Sequence, residues 1–142
     1  MDSAGNLFGT TLHGGGSAGC DANGYVGCGT VFELTTTGKE TVLHSFWSQP
    51  NCADGSGPCA RLIKGGKGNL YSTTYYGGIY NGGTVFRVNK KTHQESVLYN
   101  FTGGADGANP HGSLVRNGAG QLFGTTMYGG TDSAGTVFAL TP

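Results

Sequence analysis

The sequence repeats itself, and this repeat limits the folds open to the chain more than any other feature. The heptapeptide GNLFGTT at residues 5–11 returns as GNLYSTT at 68–74 and as GQLFGTT at 120–126, at offsets of 63 and 52 residues. Each copy is followed by the tetrapeptide GTVF, which occupies residues 29–32, 83–86 and 135–138. A period of this length indicates one supersecondary unit per copy, because a single copy cannot bury its apolar face and must stack on its neighbours.

Two further elements complete the period. The pentapeptide VLHSF at residues 42–46 recurs as VLYNF at 97–101, and the segment from Pro58 to Ile63 corresponds to the segment from Pro110 to Val115. Each period therefore contains four apolar clusters that are joined by turns containing glycine. This pattern predicts a four-stranded antiparallel sheet, which is the blade of a β-propeller.

The turns assign the order of the strands within a blade. The short link after Leu62-Ile63 is typical of a hairpin, so these residues are predicted as strand A and residues 70–74 as strand B. Strand C is then expected at 83–88 and strand D at 96–101. We therefore predict an all-β chain of β-propeller-like four-stranded antiparallel blades, about two and a half repeats and ten strands. Residues 1–142 are expected to form a single repeat domain, with a partial blade at 5–46 (strands B to D), a full blade at 58–101 and a partial blade at 110–140 (strands A to C).

The composition agrees with short strands and excludes several classes of protein. Glycine supplies 29 of the 142 residues, charged residues make up 11%, and the formal net charge is zero. Without a basic surplus the chain is not expected to bind nucleic acid. No apolar run reaches the roughly 20 residues that span a bilayer, so membrane insertion is not expected. The N-terminus has no signal-peptide pattern, and we expect that a signal has been removed or that the chain is a piece of a longer one.

The ordered series of motifs resembles the GloVer-type tandem repeat found in large bacterial surface proteins. Copies of that repeat are read approximately as GNLYGTT, GG, GTVF, a glycine turn, TVLHSF, DG and a Pro-led GLI, and the match covers nearly the whole chain. The resemblance implies a propeller-like fold, export from the cell and attachment to the surface through other parts of longer proteins. It implies no catalytic residue. The two enlarged loops of the first period depart from the family pattern.

A meander of four strands separates its connections between two faces. The B-to-C and D-to-A connections lie at one end of the sheets, here called the loop face, and the A-to-B and C-to-D turns lie at the other end, the turn face. Most lysines fall on the turn face. The loop face is expected to carry the candidate binding residues, which are carboxylates, histidines and aromatic rings: Asp21, Asp54, Asp106, Asp132, His13, His111, Tyr75, Tyr76, Tyr80, Tyr128 and Trp47.

All four cysteines lie in the two enlarged loops of the first period. Their even number and loop position predict disulfides in an oxidising compartment, most simply Cys20 with Cys28 and Cys52 with Cys59. The spacing is too wide for a paired CxxC zinc site, so no metal site is predicted. The chain is accordingly expected to be extracellular or on the cell surface.

Two other interpretations of the loop face concern ions and acid–base chemistry. Asp54-Gly55 and Asp106-Gly107 occupy equivalent loops and are candidates for calcium binding, but aspartate and glycine are also the residues that tight turns require. We favour the turn interpretation and expect no cofactor. His13 and His111 are expected as surface-loop residues, with a ligand-binding or acid–base role as the alternative.

Three functions remain open from the sequence. The first is a secreted β-propeller repeat module for extracellular binding, adhesion or assembly, in which tyrosine rings stack on the sugar rings of a polysaccharide or surface glycan. The second is a small secreted glycoside hydrolase or lyase, which requires two of the loop carboxylates to stand about 5 to 10 Å apart. The third is a structural subunit that polymerises through its end strands. Because an open stack of blades leaves apolar faces and strand edges uncovered, further copies of the chain are the expected partner.

Overall fold

The computed structural model describes residues 1–16, 20 and 26–142, and this part of the chain is all β. Eleven strands form three antiparallel sheets. The first sheet contains β1 (Leu7–Thr11), β2 (Thr30–Leu34) and β3 (Glu40–Ser45). The second contains β4 (Ile63–Lys64), β5 (Asn69–Thr74), β6 (Thr84–Asn89) and β7 (Glu95–Asn100), and the third contains β8 (Ala108–Pro110), β9 (Val115–Arg116), β10 (Leu122–Tyr128) and β11 (Val137–Leu140).

The second sheet confirms the predicted blade. Its strands are hydrogen-bonded in the order β4-β5-β6-β7, which is the meander from strand A to strand D. The first sheet repeats strands B, C and D as β1-β2-β3. Both sheets shift register between strands C and D at the same repeat position, between Val31 and Phe32 and between Val85 and Phe86. The sequence repeat is therefore a structural repeat down to this irregularity.

Strand A of the third sheet differs from the prediction because it is split into two pieces. β8 pairs with the end of β10 at Thr126 and Tyr128, and β9 pairs with its beginning at Leu122 and Phe123. Pro110 has no N–H to continue a ladder, and Leu114 is instead buried in the core between the sheets. The described residues consequently contain eleven strands rather than ten.

The three sheets stack face to face and bury one apolar cluster at each junction. At the first junction, residues of the first sheet that include Phe46 pack against Leu70 and Phe86 of the second sheet. At the second junction, residues of the second sheet that include Phe101 pack against Leu122 of the third sheet. A strand-D phenylalanine meets a strand-C phenylalanine edge-on at both places: Phe46 on Phe86 and Phe101 on Phe138, each with ring centroids 5.0 Å apart.

A pair of threonines closes strands B and C of each blade at the loop face. The hydroxyls of Thr74 and Thr84 lie 2.9 Å apart, and the Thr84 amide also donates to the Thr74 hydroxyl at 3.1 Å. The same pair recurs in the first blade as Thr11 and Thr30 and in the third as Thr126 and Thr136. Gly83 precedes the pair with a φ of 87°, and a Cβ there would lie 2.5 Å from the Thr74 carbonyl oxygen. The repeated TT and GT motifs thus have a structural role, which is to fix the ends of the strands that carry the loops.

Candidate binding groove on the loop face

Two adjoining cavities open on the loop face, where the ends of the three blades meet. One has a volume of about 320 Å³ and is lined by Leu12, Cys59, Tyr75, Tyr76, His111 and Met127. The other has a volume of about 420 Å³ and shares Leu12 and Tyr76, with His13 and the Cys20–Cys28 disulfide on its far side. We call the two together the loop-face groove. The groove brings together four residues that the sequence predicted as binding residues: His13, His111, Tyr75 and Tyr76.

Backbone hydrogen bonds hold the two central tyrosines in place. The Tyr75 amide donates to the Gly57 carbonyl at 3.1 Å, and Tyr76 exchanges two backbone hydrogen bonds with Ser56, at 2.9 and 3.0 Å. The side-chain amide of Asn109 donates to the Tyr75 carbonyl oxygen at 2.9 Å. The tyrosines are therefore anchored to the D-to-A connection on each side and do not sit on a loose loop.

The rings of the groove are packed on one another and remain open to solvent. Tyr75 meets Tyr76 edge-on with centroids 4.5 Å apart and meets His111 at 5.9 Å. The Tyr76 side chain is 53% exposed. Burial raises the pKa of Tyr75, and the neighbouring Tyr128 and Tyr76 raise it further. Tyr75 is thus a neutral phenol at physiological pH, and its hydroxyl is a hydrogen-bond donor and acceptor next to exposed ring surface.

Asp54 does not line the groove, which differs from its predicted surface role. Its side chain is fully buried, and one oxygen accepts hydrogen bonds from His44 Nε2 at 3.3 Å and from the amide and hydroxyl of Ser48 at 2.8 and 2.7 Å. Burial opposes its ionisation, but the bonds from His44 and Ser48 outweigh burial and hold the pKa of Asp54 below the ordinary value. Asp54 therefore fastens the D-to-A loop to strand D.

Asp106 has the same role one repeat later. The Tyr99 hydroxyl donates to it at 3.0 Å and the Thr102 amide at 2.9 Å, and the Thr102 hydroxyl donates to its other oxygen. Burial acts to raise the pKa of Asp106, but the bonds from Thr102 and Tyr99 hold it below the ordinary value. His44 and Tyr99 occupy the same position of strand D, so a ring donor to the loop aspartate is a feature of the repeat.

The other predicted binding residues that the structure describes lie outside the two cavities. Trp47 has a φ of 65° and packs, partly buried, against the core of the first junction. Tyr80 is 58% exposed, Tyr128 borders the groove through its contact with Tyr75, and Asp132 is exposed in the B-to-C loop of the third blade. Asp21 lies outside the described residues. Among the described residues, no three histidine, cysteine or carboxylate side chains converge as metal ligands, and no helix is long and apolar enough to cross a bilayer.

One of the two predicted disulfides forms. Cys20 and Cys28 are bonded with their Cα atoms 5.2 Å apart, as predicted. Cys52 and Cys59 are free thiols, so the predicted bond between them is wrong. The two side chains have different surroundings: the Cys52 sulfur is buried against the backbone at Gly77, whereas Cys59 is exposed at the groove. Burial raises the pKa of both thiols.

Sequence reasoning missed Leu12 and Met127 as groove residues. Both directly follow the repeated TT motif, and the residue at that position in the second repeat is Tyr75. All three line the groove, one from each blade. Alignment of the three copies contained this signal, because the residue directly after the repeated TT motif differs in every copy.

Glu95 is a partly buried carboxylate that the sequence analysis did not single out. It begins β7, and its Oε1 atom is buried without a hydrogen-bond partner. Burial raises the pKa of Glu95 to about 7; the charges of His44 and Arg87 oppose this shift, and that of Asp54 adds to it. Glu95 lies outside the lining of the groove and carries no part of the binding surface.

Comparison with known proteins identifies the family of the chain and a solved structure to which it is similar. The family model described as the Gloeobacter/Verrucomicrobia repeat matches residues 1–142. No curated protein matches the chain. A solved structure of a Bacteroides fragilis protein described as a "putative 6-phosphogluconolactonase" has 16% identity and a TM-score of 0.44, and the match covers 96% of this chain and 36% of that one. The chain thus spans about a third of the length of that protein.

Proposed function

Since the chain belongs to the Gloeobacter/Verrucomicrobia repeat family, we propose that it is a noncatalytic β-propeller repeat module that binds a neutral glycan in the loop-face groove. The observation that carries the proposal is the convergence of one side chain from each blade with two further rings. Leu12, Tyr75 and Met127 meet at the groove, and Tyr76 and His111 complete it. A groove built at the ends of three repeats is a feature of the stack and not of one loop.

The chemistry of the lining favours sugar over other ligands. Tyrosine faces stack on the apolar side of a pyranose ring, while phenol hydroxyls and imidazole nitrogens bond its hydroxyl groups. Among the described residues, the lining contains no carboxylate, lysine or arginine, so a neutral saccharide fits better than a uronate or sulfated chain. The volumes of the two cavities fall within the range of about 300 to 1,000 Å³ that is typical of small-ligand sites.

The Cys20–Cys28 disulfide supports placing this module outside the cell. Disulfides persist in oxidising compartments and are rare in the cytosol. The bond borders the groove, so its presence also shapes the proposed binding surface. We therefore propose an extracellular or cell-surface location, in which the groove meets a polysaccharide or surface glycan.

The hydrolase alternative is not favoured by the geometry of the carboxylates. Asp54 is buried and bonded to His44 and Ser48, and Asp106 is bonded to Tyr99 and Thr102. Neither aspartate lines the groove. A pair of carboxylates that flanks a glycosidic bond is needed for glycoside hydrolysis, and neither of these aspartates supplies one, so the described groove residues support binding without catalysis.

The test is electrophoresis of the native protein through gels that contain a neutral polysaccharide. Gels with β-glucan, xylan or galactomannan are compared with plain gels and with gels that contain pectin as an anionic chain. We expect at least one neutral polysaccharide to retard the protein and Tyr76→Ala to weaken this binding roughly 10-fold, because a stacking ring is lost.

Tyr80→Ala is the matched control, because Tyr80 is equally exposed on the same B-to-C connection but lies outside the groove. It is expected to bind like the unmodified chain. Absence of retardation in every neutral gel contradicts the proposal. An equal loss of binding in Tyr76→Ala and Tyr80→Ala shows that the groove is not the binding site.

A further inference from the structure

The two faces of each blade have separate and repeated partners inside the chain. We call the face that points toward the preceding repeat the leading face and the opposite one the trailing face. The second sheet presents Leu70 and Phe86 on its leading face, toward the first sheet, and Tyr71 and Val85 on its trailing face, toward the third. The chain therefore contains the same junction twice, always with a trailing face against a leading face.

The leading face of the first blade carries the residues of this junction and has nothing packed on it among the described residues. Leu7 stands at the repeat position of Leu70 and Leu122, both of which are buried, yet Leu7 is 50% exposed. Phe32 stands at the position of Phe86 and Phe138. Its ring already lies over Gly9, as the Phe138 ring lies over Gly124 in the third blade. This face is thus shaped for a junction before any partner arrives.

The trailing face of the third blade also exposes the residues that form a junction elsewhere in the chain. Val137 stands at the repeat position of Val31 and Val85, which are fully buried, and it is 81% exposed. Val115 is exposed on the same face of the sheet, whereas Ile63 at the same position of the second blade packs against the core. An apolar surface of this kind in water marks an interaction site.

We propose that a second copy of this chain docks the leading face of its first blade on the trailing face of the third blade. This contact continues the established interface between blades, and the two internal junctions specify both its partner and its orientation. It is independent of the loop-face groove. The third blade contributes strands A to C, so the junction between copies lacks the strand-D phenylalanine of the internal junctions and is smaller than either.

The proposed contact joins two different surfaces, head to tail. Such a heterologous contact gives a closed ring if the rotation between successive copies returns to the first copy, and an open filament if it does not. Two copies supply six sheets, which is within the roughly four to eight blades of closed propellers, so the proposal predicts a closed dimer, a larger ring or a filament in which every contact joins a leading face to a trailing face.

Sedimentation velocity of the full chain, over a range of protein concentrations, tests this inference. The unmodified chain is expected to associate into dimers or larger particles as its concentration rises. Val137→Asp places a charge on the trailing face, and Leu7→Asp places one on the leading face. Each variant alone is expected to stay monomeric, with the affinity between copies lowered roughly 100-fold or more, because an unpaired carboxylate is buried in the contact. An equimolar mixture of the two variants is expected to form a dimer and nothing larger, since only one intact pair of faces remains.

Ile79→Asp is the matched control, because Ile79 is 64% exposed in a loop away from both end faces. It is expected to associate like the unmodified chain, and circular dichroism is expected to show the same β signal for all variants. The inference is overturned if the unmodified chain stays monomeric at its highest soluble concentration, or if Ile79→Asp also abolishes association. Self-association of either end-face variant alone overturns the head-to-tail geometry.

Discussion

Replacement of Glu95 by glutamine is expected to stabilise the protein above neutral pH and to leave it unchanged in acid. Burial raises the pKa of the Glu95 carboxyl from 4.5 to about 7, and its Oε1 atom has no hydrogen-bond partner. The folded chain therefore holds this proton more tightly than the unfolded chain. Below about pH 4.5 both states are protonated and the residue costs nothing. Between about pH 4.5 and 7 the unfolded chain releases the proton first, so the free energy of unfolding falls as the pH rises.

The size of the effect follows from the shift. The rise of the Glu95 pKa from 4.5 to about 7 corresponds to roughly 3 kcal/mol as a ceiling. Glu95 is only partly buried, and water screens its charge, so we expect about 1 to 2 kcal/mol. Glutamine keeps the shape of the side chain and cannot ionise, so the variant should gain this amount over the unmodified protein at pH 8 and nothing at pH 4.

Urea unfolding at pH 4, 6 and 8, followed by circular dichroism, measures this difference. The chain offers a matched control in Glu40, which begins β3 at the same repeat position but is exposed. Glu40→Gln is expected to leave the pH dependence of the unfolding free energy as it is in the unmodified protein. Equal stability of Glu95→Gln and the unmodified protein at pH 8 refutes the reasoning, and so does a gain that is equally large at pH 4.

Three further predictions concern the loops. Asp54→Ala is expected to lower the free energy of unfolding by about 2 to 4 kcal/mol and Asp106→Ala by less, because Asp54 is fully buried and Asp106 is not. Urea unfolding at pH 7 measures both losses, and equal losses contradict this expectation. Reduction of the Cys20–Cys28 bond, which closes a loop of sequence separation 8, is expected to cost about 2 to 3 kcal/mol, seen as a lower thermal midpoint in dithiothreitol. Only one thiol, that of Cys59, is expected to react with N-ethylmaleimide in the folded protein, which intact mass shows as a single adduct.

Much of the fold was predictable because the sequence motifs of one blade recur almost three times along the chain. The order of strands A to D followed from the short hairpin before β5, and the second sheet has this order. The split of strand A in the third blade was not predictable from periodicity. It depends on Pro110, which interrupts the ladder, and on Leu114, which leaves the ladder to reach the core. Neither effect changes the spacing of the motifs.

The positions of the aromatic rings in the candidate site were predictable from the sequence, whereas the positions of the carboxylates were not. Sorting residues by face placed Tyr75, Tyr76 and His111 together, because connections at one end of a meander meet. The same sorting assigned Asp54 to the surface, but its burial depends on donors from His44 and Ser48 that only the folded loop brings near. The false pairing of Cys52 with Cys59 has the same origin, since loop position says nothing about side-chain direction.

The central claim is that ligand binding takes place where the ends of the three blades meet, and nuclear magnetic resonance tests it most directly. Amide correlation spectra of the ¹⁵N-labelled chain are recorded during titration with neutral oligosaccharides of glucose, xylose and mannose. The account predicts shifts at Tyr75, Tyr76 and His111, with the amides of Tyr80 and Asp132 unmoved. Unchanged spectra with all three sugars, or shifts confined to residues outside the loop-face groove, would contradict it.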